Sequence, residues 1–473
     1  MDTLSIQPTP WMILPFGALL AMIALGPLVM PSWWARHYPK VAWGLGGITF
    51  CYYLVGLRAH GRLLETAHEY VSFIALIGSL YVVSGGIHIR VKGETTPAEN
   101  TVFLGMGAVL ANVLGTTGAS MLLIRPWIRM NKYRVTGHHV VFFIFIVSNV
   151  GGCLTPIGDP PLFLGYLKGI PFWWVAEHCW PAWLLAVGLL LAAFYAVDRV
   201  NFLKAPRPVR AAHAEPPDSF RFEGGINLVF LGVILGAVFI EQPLFLREGI
   251  MVGAAVGSYY ATRKSIHEAN DFNFHPIQEV AILFVGIFLT MLPALDWLKG
   301  NAGALLGAQP SPGVFYWGCG LLSSVLDNAP TYLSFLSAIF GSFIEKETVD
   351  QVLALVQNGG AGLDQVPEPV RLTYQTLQRY HPTQLAAKHV GVEEIDVAFL
   401  LGNLKFNAYI VAISVGAVFF GANTYIGNGP NFMVKAIADQ NHVRTPDFLG
   451  YVYRYALPIL GPILLVVWAC FFR

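Results

Sequence analysis

Two carboxylates stand out among the apolar residues of this 473-residue chain, each flanked by helix breakers. Asp159 lies in Thr155-Pro156-Ile157-Gly158-Asp159-Pro160-Pro161 and Asp327 in Leu326-Asp327-Asn328-Ala329-Pro330. Burying such a group in apolar surroundings costs several kcal/mol unless a proton, a metal ion or a cationic partner compensates. Both are therefore candidate Na⁺ ligands at which H⁺ and Na⁺ would compete, with an N-cap carboxylate at a helix start as the structural alternative. Around them Asn112, Thr116, Thr117, Asn149, Thr155, Asn328, Thr331, Asn423, Thr424, Asn428 and Asn431 supply uncharged oxygens suited to a hard cation and donors suited to a carboxylate. Singly, each also suits a cap or a turn. As a set that recurs in both halves of the chain, they read as an ion- or substrate-binding site. Lys405, nine residues into the apolar run 396–422, is a candidate counter-ion for an acidic residue or an anionic substrate, with snorkelling to the interface as the alternative. Glu69 and Glu279 read as solvated groups at span ends, Arg454 as an interfacial anchor, and His138-His139 as a solvated pair beside a basic loop.

The elements that must position these residues are membrane spans. Hydrophobic residues make up 55% of the chain and charged residues only 12%, and mean hydropathy is +0.56, whereas soluble domains carry about 25% charged residues. A crossing needs about 20 mostly apolar residues. Ten runs qualify, near 11–29, 41–57, 70–89, 140–166, 173–197, 226–241, 249–262, 277–295, 396–422 and 448–472. Two more, 100–124 and 313–343, are broken at their middles. A net charge of +1 gives no bulk field to attract nucleic acid. No CxxC, HExxH, phosphate-binding or GxSxG motif sits at a suitable position, which argues against an ATP-driven pump, an enzyme or a resident cofactor. The five cysteines are widely spaced and suggest no disulfide framework. The loops assigned to the inside hold 17 of the 29 Lys and Arg, which places both termini outside, in the periplasm of a bacterial inner-membrane protein.

The breaks recur. Thr155–Phe163 lies over Thr424–Phe432 at an offset of 269, Leu110–Thr117 lies over Leu322–Ala329 at 212, and Glu69 lies over Glu279 at 210. The jump of 57 between 212 and 269 is mostly a polar insertion at 345–395. The chain thus divides into a first repeat, 1–198, with a hairpin at 97–126 and a broken helix at 140–168. A basic, Pro-rich linker follows at 199–224. The second repeat, 225–473, has a hairpin at 312–344 and a broken helix at 396–438. Five crossings per repeat is an odd number, so the repeats insert with opposite topology. The hairpins then enter from opposite faces, and their tips, Gly115-Thr116-Thr117-Gly118 and Asp327-Asn328-Ala329-Pro330-Thr331, meet the broken spans in mid-membrane. Unwound backbone is tolerated there only if it is buried in protein or lines a cavity.

The stretches Asn149–Pro161 and Gly421–Asn431, with the paired tips, resemble the Ion Transporter superfamily. That group includes NhaD-type sodium/proton antiporters, citrate transporters, arsenite exporters and divalent-anion/sodium symporters. The likeness extends over nearly the whole chain apart from the insertion, and is nearest to a bacterial subgroup labelled either sodium:proton antiporter or citrate transporter. It implies an all-α polytopic membrane protein of about ten transmembrane helices plus two re-entrant hairpins in two inverted repeats, of the elevator type, with a scaffold that commonly dimerises. Dicarboxylate symporters of that group carry Ser-Asn-Thr triplets at the tips. Here Gly115-Thr116-Thr117 and Asp327-Asn328-Ala329 stand in their place. That departure and the two carboxylates give Na⁺/H⁺ antiport as the leading expectation. Na⁺- or H⁺-coupled uptake of citrate or a related carboxylate is the alternative, and an uncoupled channel or receptor the third class. The expected partners are a lipid bilayer and small ions or carboxylates.

Overall fold

A computed structural model describes residues 7–90, 95–204, 221–240, 242–307 and 310–473. It is an all-α polytopic membrane protein. The one sheet among the described residues is a two-stranded antiparallel pair, His88–Arg90 with Arg221–Glu223. Helical segments Pro10–Pro27, His60–Gly85, Pro97–Met130, Phe172–Lys204, His275–Leu305, Leu404–Asn423 and Phe448–Phe471 are long and apolar enough to cross a membrane. The linker expected at 199–224 lies largely outside the described residues, which omit 205–220.

Pro97–Met130 is a hairpin, not a crossing. Thr96 starts it with a capping box to Glu99, and Pro97 sits where its missing N–H is harmless. The chain reverses at Gly115, whose φ of 73° and ψ of 155° are open essentially to glycine alone. Both ends return to one face, where Thr95 Oγ1 donates to the Met130 carbonyl at 3.1 Å and Asn100 Nδ2 to Asn131 Oδ1 at 2.8 Å. The second hairpin joins Pro312–Ser323 to Asn328–Phe343, and its far ends meet where the Phe315 and Phe343 rings lie 6.4 Å apart.

The first broken span consists of Gly137–Ile146 and Pro160–Leu167. The second begins later than the expected 396: Val392–Gly402 is a separate helix that stops at Asn403, which is extended and caps Leu404–Phe420 by accepting from Lys405 N–H. Gly429–Gln440 completes that span. Val140–Val147 and Ala412–Phe420, which lead into the breaks, are wholly buried, and in the breaks themselves all residues but the half-buried Leu154, Thr155, Asn423 and Ile426 are buried, as a low-dielectric environment demands of unwound backbone. Apolar side chains such as Leu228, Val229, Val256 and Tyr260 on the outer helices Ile226–Ala237 and Leu246–Ala261 are exposed, as for a lipid-facing surface.

The insertion folds into helices Lys346–Gln357, Glu368–Tyr380 and Pro382–Ala386. Its small core of Val352, Val356, Val370 and Leu377 packs onto Ile395 and Ala398 of Val392–Gly402. Ion pairs fasten that unit to the bundle. Glu393 takes Lys168 Nζ on both oxygens at 2.8 Å and Arg62 Nη1 at 3.1 Å, while Asp396 takes Lys299 Nζ at 2.5 Å. Lys168 also donates to Glu69 at 2.6 Å. Glu69 is therefore not the solvated span-end group expected: it is buried within His60–Gly85 because Lys168, at the end of Pro160–Leu167, draws it in. The His138-His139 pair is likewise buried, not solvated. Its rings lie against Trp127 and Phe194, and His139 Nε2 is 3.1 Å from Asp198 Oδ1, a carboxylate already held by Arg134.

Gly115→Ala is expected to cost about 1–3 kcal/mol, since it forces an L-residue into a glycine-only conformation and brings a Cβ within 3.2 Å of the Ile157 carbonyl oxygen. Gly17→Ala, which meets nothing within 4 Å, is its silent control, with thermal unfolding in detergent as the measurement. Burial alone would raise the Glu393 carboxyl, but Lys168 and Arg62 outweigh burial and hold it down to about 2, against an ordinary 4.5. A depressed carboxylate stabilises the fold above its unfolded value. Its contribution is thus fully present above pH 4.5 and lost as pH falls towards 2. Acid unfolding of Glu393→Gln should lack that loss.

Candidate functional site

Asp159 is where the four interrupted elements converge. Its Oδ1 accepts from Thr116 Oγ1 of the first hairpin at 2.7 Å and from Asn428 Nδ2 of the second broken span at 3.0 Å. Its Oδ2 accepts from Asn328 Nδ2 of the second hairpin at 2.5 Å. All four residues are buried. Charge-assisted hydrogen bonds of this kind are roughly twice as strong as neutral ones, and an ionised carboxylate in an apolar interior requires them.

The donors follow the two offsets seen in the sequence. Thr116 and Asn328 differ by 212, and Asp159 and Asn428 by 269. The carboxylate and its own equivalent thus hydrogen-bond each other, and each hairpin tip contributes one donor. Supporting contacts repeat in the same way. Thr155 Oγ1 donates to the Asn112 carbonyl and Thr424 Oγ1 to the Ser324 carbonyl, both at 2.6 Å. The same hydroxyls accept from Gly158 N–H and Gly427 N–H, both at 3.1 Å. Each loop closes so tightly that only glycine fits: a Cβ on Gly427 would lie 2.6 Å from the Gly421 carbonyl oxygen, and one on Gly158 would press on that of Gly152.

A second layer fixes the orientation of Asn428. Its Nδ2 also reaches Asn149 Oδ1 at 3.2 Å and the Ser148 carbonyl at 3.1 Å. Asn149 in turn donates to Asn431 Oδ1 at 2.7 Å, and Asn431 donates to the carbonyls of Gly421 and Thr424. Asn112 locks the first loop by donating to the Gly151 carbonyl at 2.7 Å and accepting from Leu154 N–H at 2.8 Å. Asn423 donates to Ser324 Oγ at 2.9 Å.

Helix ends set the local electrostatics. Asp159, Asp327 and Asn428 are the N-cap residues of Pro160–Leu167, Asn328–Phe343 and Gly429–Gln440, and Thr116 begins the second arm of the first hairpin. Four helix N-termini therefore face one another, each carrying roughly half a positive charge. Asp327 accepts from Ala329 N–H at 3.0 Å within its own turn, and Thr331 Oγ1 donates to the Asp327 carbonyl. A cavity beside Asp159, lined by Thr116, Thr117, Ile157, Gly158 and Phe163 among others, has room for about one water molecule. Asn328 Oδ1, at this centre, is buried and has no hydrogen-bond partner among the described residues.

The structure thus brings Asp159, Thr116, Asn328 and Asn428 into direct contact, supports them with Asn112, Asn149, Thr155, Asn423, Thr424 and Asn431, and puts Thr117 on the cavity wall. It sets Lys405 apart. That residue is exposed at the far end of Leu404–Phe420, about 25 Å from the break at 1.5 Å per residue. The sequence reading passed over Ser148 and Ser324, although Ser324 stands opposite Asn112 at the offset of 212.

A family described as Putative citrate transport has a sequence profile that matches residues 5–472. No curated protein matches the chain.

Thr155→Val and Thr424→Val each delete a hydroxyl that bonds a hairpin carbonyl, at nearly unchanged volume. Each should destabilise the protein by about 1–2 kcal/mol, and by similar amounts because the contacts are equivalent. Unfolding midpoints in detergent check this, and a difference between the two above about 1.5 kcal/mol would break the equivalence.

Proposed function

The chain belongs to the putative citrate transport family, which matches it over nearly its whole length, and from this premise we propose that it carries citrate or a related carboxylate across the membrane together with Na⁺ or H⁺. The observation that supports coupling is the balance of charge at Asp159. Four helix N-termini contribute about two positive charges in all, and Asp159 and Asp327, if ionised, contribute two negative ones. A carboxylate substrate entering this centre upsets the balance unless a cation or a proton enters with it.

Asn328 suits both partners of that exchange. Its Nδ2 donates to the Asp159 carboxyl group, a contact that suits the ionised form. Turned about its terminal bond, it would offer Oδ1 to a protonated Asp159 or to a bound cation, in keeping with that oxygen's lack of a partner. The cavity accommodates about one water molecule, enough for an ion and far too little for a tricarboxylate. Admitting the organic substrate therefore requires the hairpin tips to part from the broken spans. Thr116, Asn328 and Asn428, released from Asp159, then become donors for substrate oxygens.

The size of the cavity also favours a second reading, exchange of Na⁺ for H⁺ at Asp159 with no organic substrate. Proteoliposomes separate the two. Citrate uptake that requires an inward Na⁺ or H⁺ gradient is the expected result, and Asp159→Asn should lower it by more than about tenfold, or 1.4 kcal/mol. Sodium-evoked proton flux of the same size with and without citrate, and no citrate uptake, would sink the carboxylate reading in favour of antiport.

A further inference from the structure

We propose that the cavity between Arg62, Lys168 and Lys299 is a second carboxylate-binding site, on the face that carries the insertion, at which a carboxylate of the substrate takes the seat now filled by Glu393. This rests on the carboxylate-transport reading above.

One wall of that cavity carries Arg62, Lys168, Lys299, Asp296 and Glu393. The other is the apolar side of Asn328–Phe343, with Leu333, Leu336 and Phe340. Like the cavity beside Asp159, this one has room for about one water molecule while Glu393 is in place; once the Glu393 side chain leaves, the charged groups face an apolar surface able to cover a carbon skeleton. Lys168 and Arg62 have partners besides Glu393: Lys168 donates to Glu69 at 2.6 Å, and Arg62 pairs with Asp296 at 3.3 Å, itself held by Tyr53 at 2.7 Å. Those partners stay in place when Glu393 leaves. Exchanging the Glu393 carboxylate for one of a ligand's keeps a carboxylate on Lys168 and Arg62, so neither cation is left as an uncompensated buried charge.

The water-facing members are the ones the exchange needs. The Glu393 side chain is 32% exposed and that of Lys299 40%, against 5% for Lys168. Glu393 can swing into water, while Lys299, paired only with Asp396 among the described ion pairs, can turn towards a second carboxylate of the same ligand. The location fits a stage on the way to Asp159. The apolar wall belongs to the hairpin arm whose first residue, Asn328, holds Asp159, and Lys168 ends the half-helix that Asp159 begins.

Concentration dependence of citrate uptake in proteoliposomes tests this, with wild type, Glu393→Gln, Lys299→Gln and Lys299→Arg. Removing the competing carboxylate in Glu393→Gln should lower the half-saturating citrate concentration by roughly two- to fivefold, the range a partly exposed ion pair commands, with little change in maximal rate. Lys299→Gln should raise it, and Lys299→Arg should restore it. Intact uptake with half-saturation unchanged in both Glu393→Gln and Lys299→Gln overturns the proposal and leaves the transport reading standing. The same holds if Glu393→Gln only lowers the unfolding midpoint, since the cluster is then an anchor for the insertion and nothing more. Should Glu393→Gln fail to fold, the exposed Lys299 pair decides alone. Absence of citrate uptake in the wild type instead overturns the transport reading itself.

Discussion

Everything in this molecule depends on holding one ionisable carboxylate in a dry interior with helix ends pointing at it. Four half-helices present their N-termini to the same small volume, and like partial charges brought together this way repel unless an anion lies among them. Asp159, when ionised, is that anion. It accepts from both hairpin tips and from the second broken span, so the group that neutralises the helix ends also joins the two repeats. Around it, glycine loops let backbone pass within contact distance of backbone, and asparagine and threonine side chains satisfy the carbonyl and amide groups that the breaks expose. The long helices enclose the centre and leave room beside Asp159 for about one water molecule.

Much of this was legible in the chain. Pro, Gly and Asn inside apolar runs mark the breaks, because they stop a helix by chemistry that does not depend on tertiary context. The two offsets, 212 and 269, placed Thr116 opposite Asn328 and Asp159 opposite Asn428, and those four residues meet, the other three all donating to Asp159. What the sequence could not disclose was which polar residues meet. Lys405 looks intramembrane in a one-dimensional hydropathy scan, yet Asn403 stops one helix and starts another, which carries Lys405 out to an exposed end. Asp327 has the same local chemistry as Asp159, but it caps its own helix through Ala329 N–H.

Glu69 and the His138-His139 pair were misread for a related reason. Periodicity reports whether a residue lies near the end of an apolar run, and such ends are usually wet. Here both ends are covered, one by the insertion and Lys168, the other by Asp198, Arg134 and the aromatic rings of Trp127 and Phe194. Each cluster is assembled from segments more than 50 residues apart, for instance Glu69 with Lys168 and His139 with Asp198, and no local pattern encodes such a meeting.

The mutual hydrogen bond between Asp159 and Asn428 has one more implication. Equivalent positions in the two halves hold an acid and its amide, so at this pair the internal symmetry is broken by a single heteroatom. Two acids at this separation could not both ionise and would share a proton. With one acid and one amide, this pair can take up or give away a single unit of charge. The amide reads that event, because its donor loses an anionic acceptor the moment the acid is neutralised.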